Sequence, residues 1–529
     1  MSRRTGGRAA RHALRSAPLS EDIKPVQPGQ LGGRYKPLSD DALASIYSAM
    51  LDLLENVGFT RAIPSIIDLV SKAGGKLTPD GRLTFPRELI EWTLEVCARD
   101  ITLYGQKPEH NLLLSGNKVY FGTAGAAVHI VDAWKTHDKY PDQIPYREST
   151  LQDLYDAARL VDQLEHIHFF QRCMVARDIE DPFAMDLNTT YVSVMGTAKH
   201  CGVSYVDPVH AEAGLKLLNS IAGGEKQWRE RPFASLSCCF VVPPMRFAED
   251  ACRVMEVCIR GGMPILLLAA GQAGATSPAS LAGAVVQECA ECLAALAIVN
   301  LMEKGHPAIF GPWPFVSDLR TGAMSGGSGE QAVLMAACGQ VGRYLDLPTG
   351  IAAGMADSKT PDAQSGFEKA YTVTLAGHSG TNLVYESAGM QASLLGFGFE
   401  STMIDNDMLG AINRSVRGIE VDHDNLALET ITDVCLNGPE HFLGHEATLS
   451  RMQSDYVYPE VGNRLTPAEW MELGSKNVNE PARERVQEIL DTYFPSHIPD
   501  ELDTRLREDF EILLPTEQMR PKHKQNSMD

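Results

Sequence analysis

From Val119 onward the chain alternates short apolar or β-branched runs with longer amphipathic stretches. This alternation restricts the fold more than any other feature of the sequence. The runs are "VYFGT" (119–123), "HIHFFQRCM" (166–174), "CGVSYV" (201–206), "FASLSCCF" (233–240), "MPILLLA" (263–269), "PAIFGP" (307–312), "PTGIAA" (348–353) and "NLVYESAG" (382–389). Stretches with helical periodicity separate most of them, among them "LQDLYDAARLVDQL", "HAEAGLKLLNSI" and "GEQAVLMAACGQVGRYL". Strands alternating with helices predict parallel βαβ units, and eight such strands predict an α/β fold closed as a (β/α)8 TIM barrel. An open doubly wound sheet is the alternative. It is weakened because no G-x-G-x-x-G turn follows the first strand.

At 529 residues the chain exceeds the roughly 250–300 that one core usually serves, so appendages are expected. Four regions are read: a disordered basic arm (1–30), an N-terminal helical appendage (31–115), the barrel (116–455) and a C-terminal helical extension (456–529). In the appendage, "SDDALASIYSAMLDLLENVGF" has Ser39 or Asp40 as N-cap and Gly58 as stop signal. In the extension, "TPAEW" opens a helix with Thr466 as N-cap and Pro467 at its first position. The basic start, "MSRRTGGRAARHALRSAPLS", reads as a disordered arm, with a transit-like peptide as the alternative.

The net charge of -21 argues against nucleic acid or an anionic membrane surface as partner. No stretch reads as a run of about 20 apolar residues, so no membrane span is expected. The eleven cysteines are scattered; Cys289 and Cys292 form a C-x-x-C with no second pair to complete a zinc site. A reducing, cytoplasmic compartment is the simplest expectation.

In a barrel of this kind the active site lies at the C-terminal ends of the strands. Those positions bring forward Thr123, Gly125 and His129 after the first run, and Gln171 and Arg172 after the second. Tyr205 and Asp207 follow the third; Ser237, Cys238 and Phe240 the fourth; Gln272 the fifth. Trp313 and Phe315 follow the sixth, "ADSKTPDAQSGFEKA" (356–370) the seventh, and Tyr385, Glu386 and Ser387 end the eighth. Trp313, Phe315, Tyr385, Tyr205, Phe240 and Phe121 are enough aromatic rings for a cage around a quaternary ammonium, where each desolvated ring is worth about 0.5–2 kcal/mol. For each ring but Trp313, a place in the barrel core is the competing reading.

Other constellations are weaker. His166 and His168 share one face of a strand without a third ligand, and His441 and His445 lie four apart without an H-E-x-x-H pattern. "GAMSGGSGEQ" (322–331) is read either as an anion cradle at a helix start or as a lid. His378 precedes the eighth run, on the side away from the rim, and is retained as a binding candidate. No G-x-S-x-G elbow and no P-loop occurs.

The segments "LLENVGFT", "FPRELIEWTL", "ITLYGQ", "VYFGTAGAA", "DSKTPDAQSGFEKA", "NLVYESAGM" and "FLGHEATL" resemble the trimethylamine methyltransferase family in order and spacing. The resemblance covers nearly the whole chain. It implies a barrel that moves a methyl group from a methylamine to the cobalt of a corrinoid held by a separate protein. The family archetype carries a pyrrolysine; this sequence has no non-standard residue, so it resembles the non-pyrrolysine branch, whose members act on glycine betaine or other quaternary amines. Methyl transfer to Co(I) is a nucleophilic substitution, and a quaternary nitrogen already carries the charge that lets it leave as a neutral amine. The protein's task is then to hold the substrate with one methyl aimed at the acceptor.

No histidine has an aspartate two residues before it, so the D-x-H-x-x-G corrinoid signature is absent. The expected partners are a small quaternary amine and a cognate corrinoid protein that carries the cobalamin; no cofactor or metal is expected on this chain, and assembly into homo-oligomers is left open. Rim position and resemblance together bring forward Asp357, Ser358, Lys359 and Glu386 as catalytic candidates. Trp313, Phe315, Tyr205, Asp207, Gln171, Gln272, Tyr385, His378 and His129 are the substrate-binding candidates. A betaine carboxylate has Lys359, Arg172, a histidine or the helix start after "GGSG" as candidate counterparts. Trimethylamine or another methylamine as substrate, and a non-catalytic betaine-binding protein, are the alternatives.

Overall fold

The computed structural model describes residues 24–131, 146–438 and 441–521. Most of the expected N-terminal arm, residues 1–23, lies outside the described residues. The end of that arm is packed: Val26 is buried, and Gln30–Leu31 pair antiparallel with Lys118 and Val119.

All eight apolar runs contain strands: β1 (Lys118–Phe121), β2 (Phe170–Gln171), β3 (Cys201–Val203), β4 (Ala234–Cys238), β5 (Ile265–Ala269), β6 (Ala308–Pro312), β7 (Gly350–Ala352) and β8 (Leu383–Tyr385). Strands β2 to β6 pair parallel in chain order, and β7, β8 and β1 form a second parallel set. Parallel bridges between Gly122 and Phe169, and between Phe310 and Thr349, join the two sets. The ring is therefore closed as a (β/α)8 barrel, and the open sheet is excluded.

Each strand is followed by a helix. Counted after three N-terminal helices, α1 (Asp40–Asn56), α2 (Pro64–Lys72) and α3 (Arg87–Val96), these are α4 (Leu151–Gln163), α5 (Pro182–Gly196), α6 (Pro208–Ala222) and α7 (Glu249–Arg260). They continue as α8 (Leu281–Met302), α9 (Gly329–Tyr344), α10 (Ala363–Ser379) and α11 (Phe399–Arg417). Short helices from Leu428 onward complete the chain. The predicted caps form: Ser39 accepts from Ala42 N at 3.2 Å, Gly58 takes φ 62°, and Thr466 makes a capping box with Glu469.

Helix α8 differs from the sequence expectation. Its 22 residues are apolar enough, at a mean hydropathy of 1.6, to span a membrane by length and composition. Gln287, Glu288 and Glu291 interrupt the run and hide it from inspection. The helix is a core element: it packs against β5, β6 and α1 to α3, and 83% of its most apolar window is buried. The interrupting Glu291 accepts from Met245 N at 2.7 Å and so anchors the loop after β4.

Inside the barrel, large residues fill the space that facing glycines leave. A Cβ on Gly350 would meet the Tyr385 ring at 2.6 Å, and one on Gly202 would lie 1.4 Å from Gln171 Oε1. Tyr385 in turn packs 4.9 Å from Phe169 and 5.3 Å from Trp313, centroid to centroid. Gly202→Ala is therefore expected to cost about 1–3 kcal/mol by overpacking. Urea denaturation of the Gly202→Ala/Gln171→Ala double variant should show most of that loss recovered, because the clash is with one side chain.

Candidate active site

A cavity of about 450 Å³ opens at the C-terminal ends of the strands. Its wall is built from several strand ends: Gln171 ending β2 and Arg172 just past it, Tyr205 after β3, Cys238 and Cys239 at β4, Trp313 and Phe315 after β6, and Glu386 after β8. Leu394, from the loop beyond β8, closes one side.

Glu386 is the least ordinary group there. Its carboxyl is 1% exposed, and Oε2 is buried without a hydrogen-bond partner. Burial alone pushes its pKa from 4.5 up to about 8. Its backbone sits in the left-handed region at φ 59°, a conformation that costs a non-glycine residue of order 1–3 kcal/mol and concentrates at functional sites. The next residue pins this turn: Ser387 N and Oγ donate to Gly122 O at 3.0 and 2.9 Å, tying the end of β8 to β1.

The aromatic wall comes from β6. Trp313 N donates to Ala269 O and Phe315 N to Gly271 O, both at 2.8 Å, so the chain after β6 runs alongside the chain after β5. Trp313 Nε1 donates to Gly350 O at 3.1 Å, which locks its indole against the barrel interior. Phe315 is half-buried and faces the opening. Cys239, an exposed residue, lines the same space, within electrostatic reach of both Arg172 and Glu386.

Of the sequence candidates, the structure brings Gly125, Gln171, Arg172, Tyr205, Ser237, Cys238, Trp313, Phe315 and Glu386 to this cavity. Tyr205 borders it, but its ring runs outward: the hydroxyl accepts from Thr190 Oγ1 at 3.2 Å, and the ring abuts Gly214 of α6. Tyr385 lies below, in the barrel core. Phe121 packs outward beside Gly377 and Phe240 beside Phe247, so neither joins an aromatic cage.

The remaining candidates face elsewhere. Asp357 is a staple: it accepts from Ser325 Oγ (2.6 Å), Gly326 N (2.7 Å) and Ser393 Oγ (2.5 Å), joining the loops after β6, β7 and β8. Ser358 Oγ donates to Asp362 Oδ1 at 2.8 Å, and Asp362 caps α10 by accepting from Ser365 N. Lys359 is exposed, its Nζ on the Asp357 carbonyl at 2.6 Å. Asp207 caps α6, accepting from Val209 N at 2.8 Å. Gln272 lies in a short strand paired with Phe315. His129 sits in a cap sheet, Nδ1 3.3 Å from Leu395 O. His378 ends α10 at the opposite rim, 3.0 Å from Ser415 Oγ.

The histidine pairs and the glycine-rich loop are also accounted for. His168 Nδ1 accepts from Phe121 N at 2.9 Å, His166 packs against Gly410, and His445 caps the helix Glu446–Ser454. In "GAMSGGSGEQ", Ser328 caps α9 and Met324–Ser325 pair with Val316 and Ser317. Cys239 and Leu394 were not brought forward by sequence reasoning. Cys239 lies one residue past the named Cys238, and Leu394 is delivered by a loop with three consecutive positive-φ residues, Ala392 to Leu394, none a glycine that would mark it.

The sequence profile described as trimethylamine methyltransferase (MTTB) matches residues 4–512. The chain belongs to the trimethylamine methyltransferase family. It is 28% identical over 470 residues to the trimethylamine methyltransferase MttB of Desulfitobacterium hafniense (strain DSM 10664 / DCB-2), covering 89% of this chain and 92% of that one. It is 26% identical over 482 residues to a glycine betaine methyltransferase of Desulfitobacterium hafniense (strain Y51), covering 90% and 97%. Among solved structures, the monomethylamine methyltransferase (MtmB) of Methanosarcina barkeri aligns at a TM-score of 0.48 and 11% identity, over 87% of this chain and 95% of that one. This chain is thus a methyltransferase-family barrel whose wall holds a buried, unpartnered carboxyl.

That carboxyl makes stability depend on pH. Unfolded, Glu386 ionises near 4.5; folded, it keeps its proton to about 8. Between those values the folded state binds more protons, so this group's contribution is full below pH 4.5 and is lost as pH rises to about 8. Thermal melts of Glu386→Gln should show a shallower decline over that window than the parent protein, and higher stability at its upper end.

Proposed function

We propose that this protein moves a methyl group from a quaternary amine, glycine betaine or a close analogue, to the Co(I) of a corrinoid carried by a separate protein. The observation that carries this reading is Glu386, an orphaned carboxyl in a cavity walled by Trp313 and Phe315. A quaternary ammonium supplies the missing counter-charge without needing a hydrogen bond, and the rings take its methyl groups by cation–π attraction. Family membership and the relative named as a glycine betaine methyltransferase support the same reading. Trimethylamine is the second reading, supported by the relatives named for it.

In the reaction the acceptor's electron pair forms the bond to the methyl carbon. The carbon–nitrogen bond breaks, its electrons stay on nitrogen, and a neutral tertiary amine leaves. No proton moves. The protein's residues therefore act by positioning and desolvation: Glu386 holds the cation, Trp313 and Phe315 shape the space, and one methyl is left toward the opening. Catalytic roles for Asp357, Ser358 and Lys359 become supporting ones, in that they hold the loops that frame the mouth.

A large acceptor needs an accessible mouth. Val206, Val242, Leu319 and Leu395, on connections from a strand to its following helix, and Val209 and Leu281, in the first turns of α6 and α8, are exposed apolar side chains at the same end of the barrel as the cavity. Such a surface suits docking of a second protein.

Mixing the protein with a reduced corrinoid protein and glycine betaine should change the corrinoid absorbance as Co(I) is methylated; silence across a panel of quaternary amines and trimethylamine would sink the proposal. Leu319→Asp should slow transfer to the corrinoid protein and leave binding of the small substrate unchanged, as measured by calorimetry. Betaine affinity should rise with pH up to about 8 and then level off, because the cation is held by ionised Glu386 and its binding expels the proton. Glu386→Gln should abolish this dependence and weaken binding by about tenfold or more.

A further inference from the structure

Among the described residues, Arg172 is the one other charged side chain on the wall of this cavity. It ends β2, where its backbone N donates to Gly202 O at 3.1 Å. Its Nε is sealed from solvent and has no hydrogen-bond partner. Burial lowers its pKa, and the carboxylate whose charge opposes this is Asp186. Asp186 Oδ2 is already engaged, accepting from Val206 N at 2.8 Å and lying 2.7 Å from His210 Nδ1. Lys359, the other cation considered for a substrate carboxylate, is exposed and occupied by the Asp357 carbonyl.

A half-buried guanidinium with a sealed, unused Nε donor and a buried carboxyl with an unused acceptor thus share one cavity, and Cys239 on the same wall is within electrostatic reach of both. Leaving either polar group unpaired is costly, and a ligand carrying both opposite charges relieves both at once. We infer that Arg172 is the specificity residue of this site: it takes the carboxylate of a zwitterionic substrate whose ammonium faces Glu386. This rests on the quaternary-ammonium reading above and narrows it to methylated amino acids, against choline, tetramethylammonium and trimethylamine. Planar, two-pronged hydrogen bonding suits arginine to a carboxylate, so lysine is an incomplete substitute. A site built around such a pair rejects the analogue lacking the carboxylate because its own groups are then stranded.

The test is calorimetric binding to the full chain of glycine betaine, its methyl ester and choline. The intact protein should bind betaine about tenfold or more tighter than the ester or choline. Arg172→Gln should lose about tenfold or more in betaine affinity while choline changes by less than about twofold, and Arg172→Lys should retain part of the preference. Should Arg172→Gln fail to fold by circular dichroism, the ester comparison on the intact protein and the Arg172→Lys variant decide the matter. Equal binding of betaine, ester and choline by the intact protein would overturn the assignment, as would an equal loss for both ligands in Arg172→Gln. If choline binds and donates its methyl as well as betaine does, the methyl-transfer reading stands and the role of Arg172 falls. If no quaternary ammonium binds, both fall.

Discussion

Everything at the cavity depends on closure of the parallel strand ring. Two single bridges, Gly122 to Phe169 and Phe310 to Thr349, join two strand sets into one barrel. Without closure the ends of β2, β6 and β8, at Gln171, Pro312 and Tyr385, would not face one another, since they are far apart along the chain. Closure also removes the free sheet edges that would otherwise invite pairing with other chains. Its cost is an interior that must be filled, and here glycines on one strand admit large side chains from the next, as Gly350 does for Tyr385.

Given that ring, the site is a contrast between two kinds of polar residue. Asp357, Ser358, Asp207 and Asp362 are satisfied: each spends its oxygens on backbone amides, hydroxyls or a helix cap. Glu386 keeps an oxygen unspent in the dark interior of the mouth, held there by a left-handed turn that Ser387 pins to β1. Satisfied groups hold the loops here, whereas an unpartnered carboxyl on a cavity wall is a place for a ligand. The same contrast separates Arg172 from Lys359.

The proposed transfer from a quaternary amine fits this division. A reaction in which no proton is transferred asks for no general acid, base or covalent nucleophile, and the cavity presents no such constellation among the described residues. What it presents is a shape, aromatic faces and two charges, suited to holding one small ion while a larger acceptor approaches the open side. The polar machinery around it, from the Asp357 staple to the Glu291 anchor under the loop after β4, serves to hold the loops still.

By itself the sequence determined the alternation of strands and helices, their number, the flanking helices with their caps, and the end of the barrel where a site belongs. These are readable because strand and helix periodicities and cap chemistry are local properties. Trp313, Phe315, Gln171 and Glu386 were placed at the rim for the same reason: each lies at the end of a strand-forming run or within three residues of it. Only the tertiary structure decided which rim residues face inward. Asp357, Ser358 and Lys359 sit at as good a rim position as Glu386, yet turn to neighbouring loops, because side-chain direction at a strand end depends on the φ of one or two residues and on partners far away in sequence. Leu394 reaches the cavity through consecutive left-handed residues, and α8 hides its apolar length behind buried polar residues, of which Glu291 has its partner, Met245, in another loop. Which polar atoms remain unpaired is a property of the assembled ring, and no stretch of chain carries it alone.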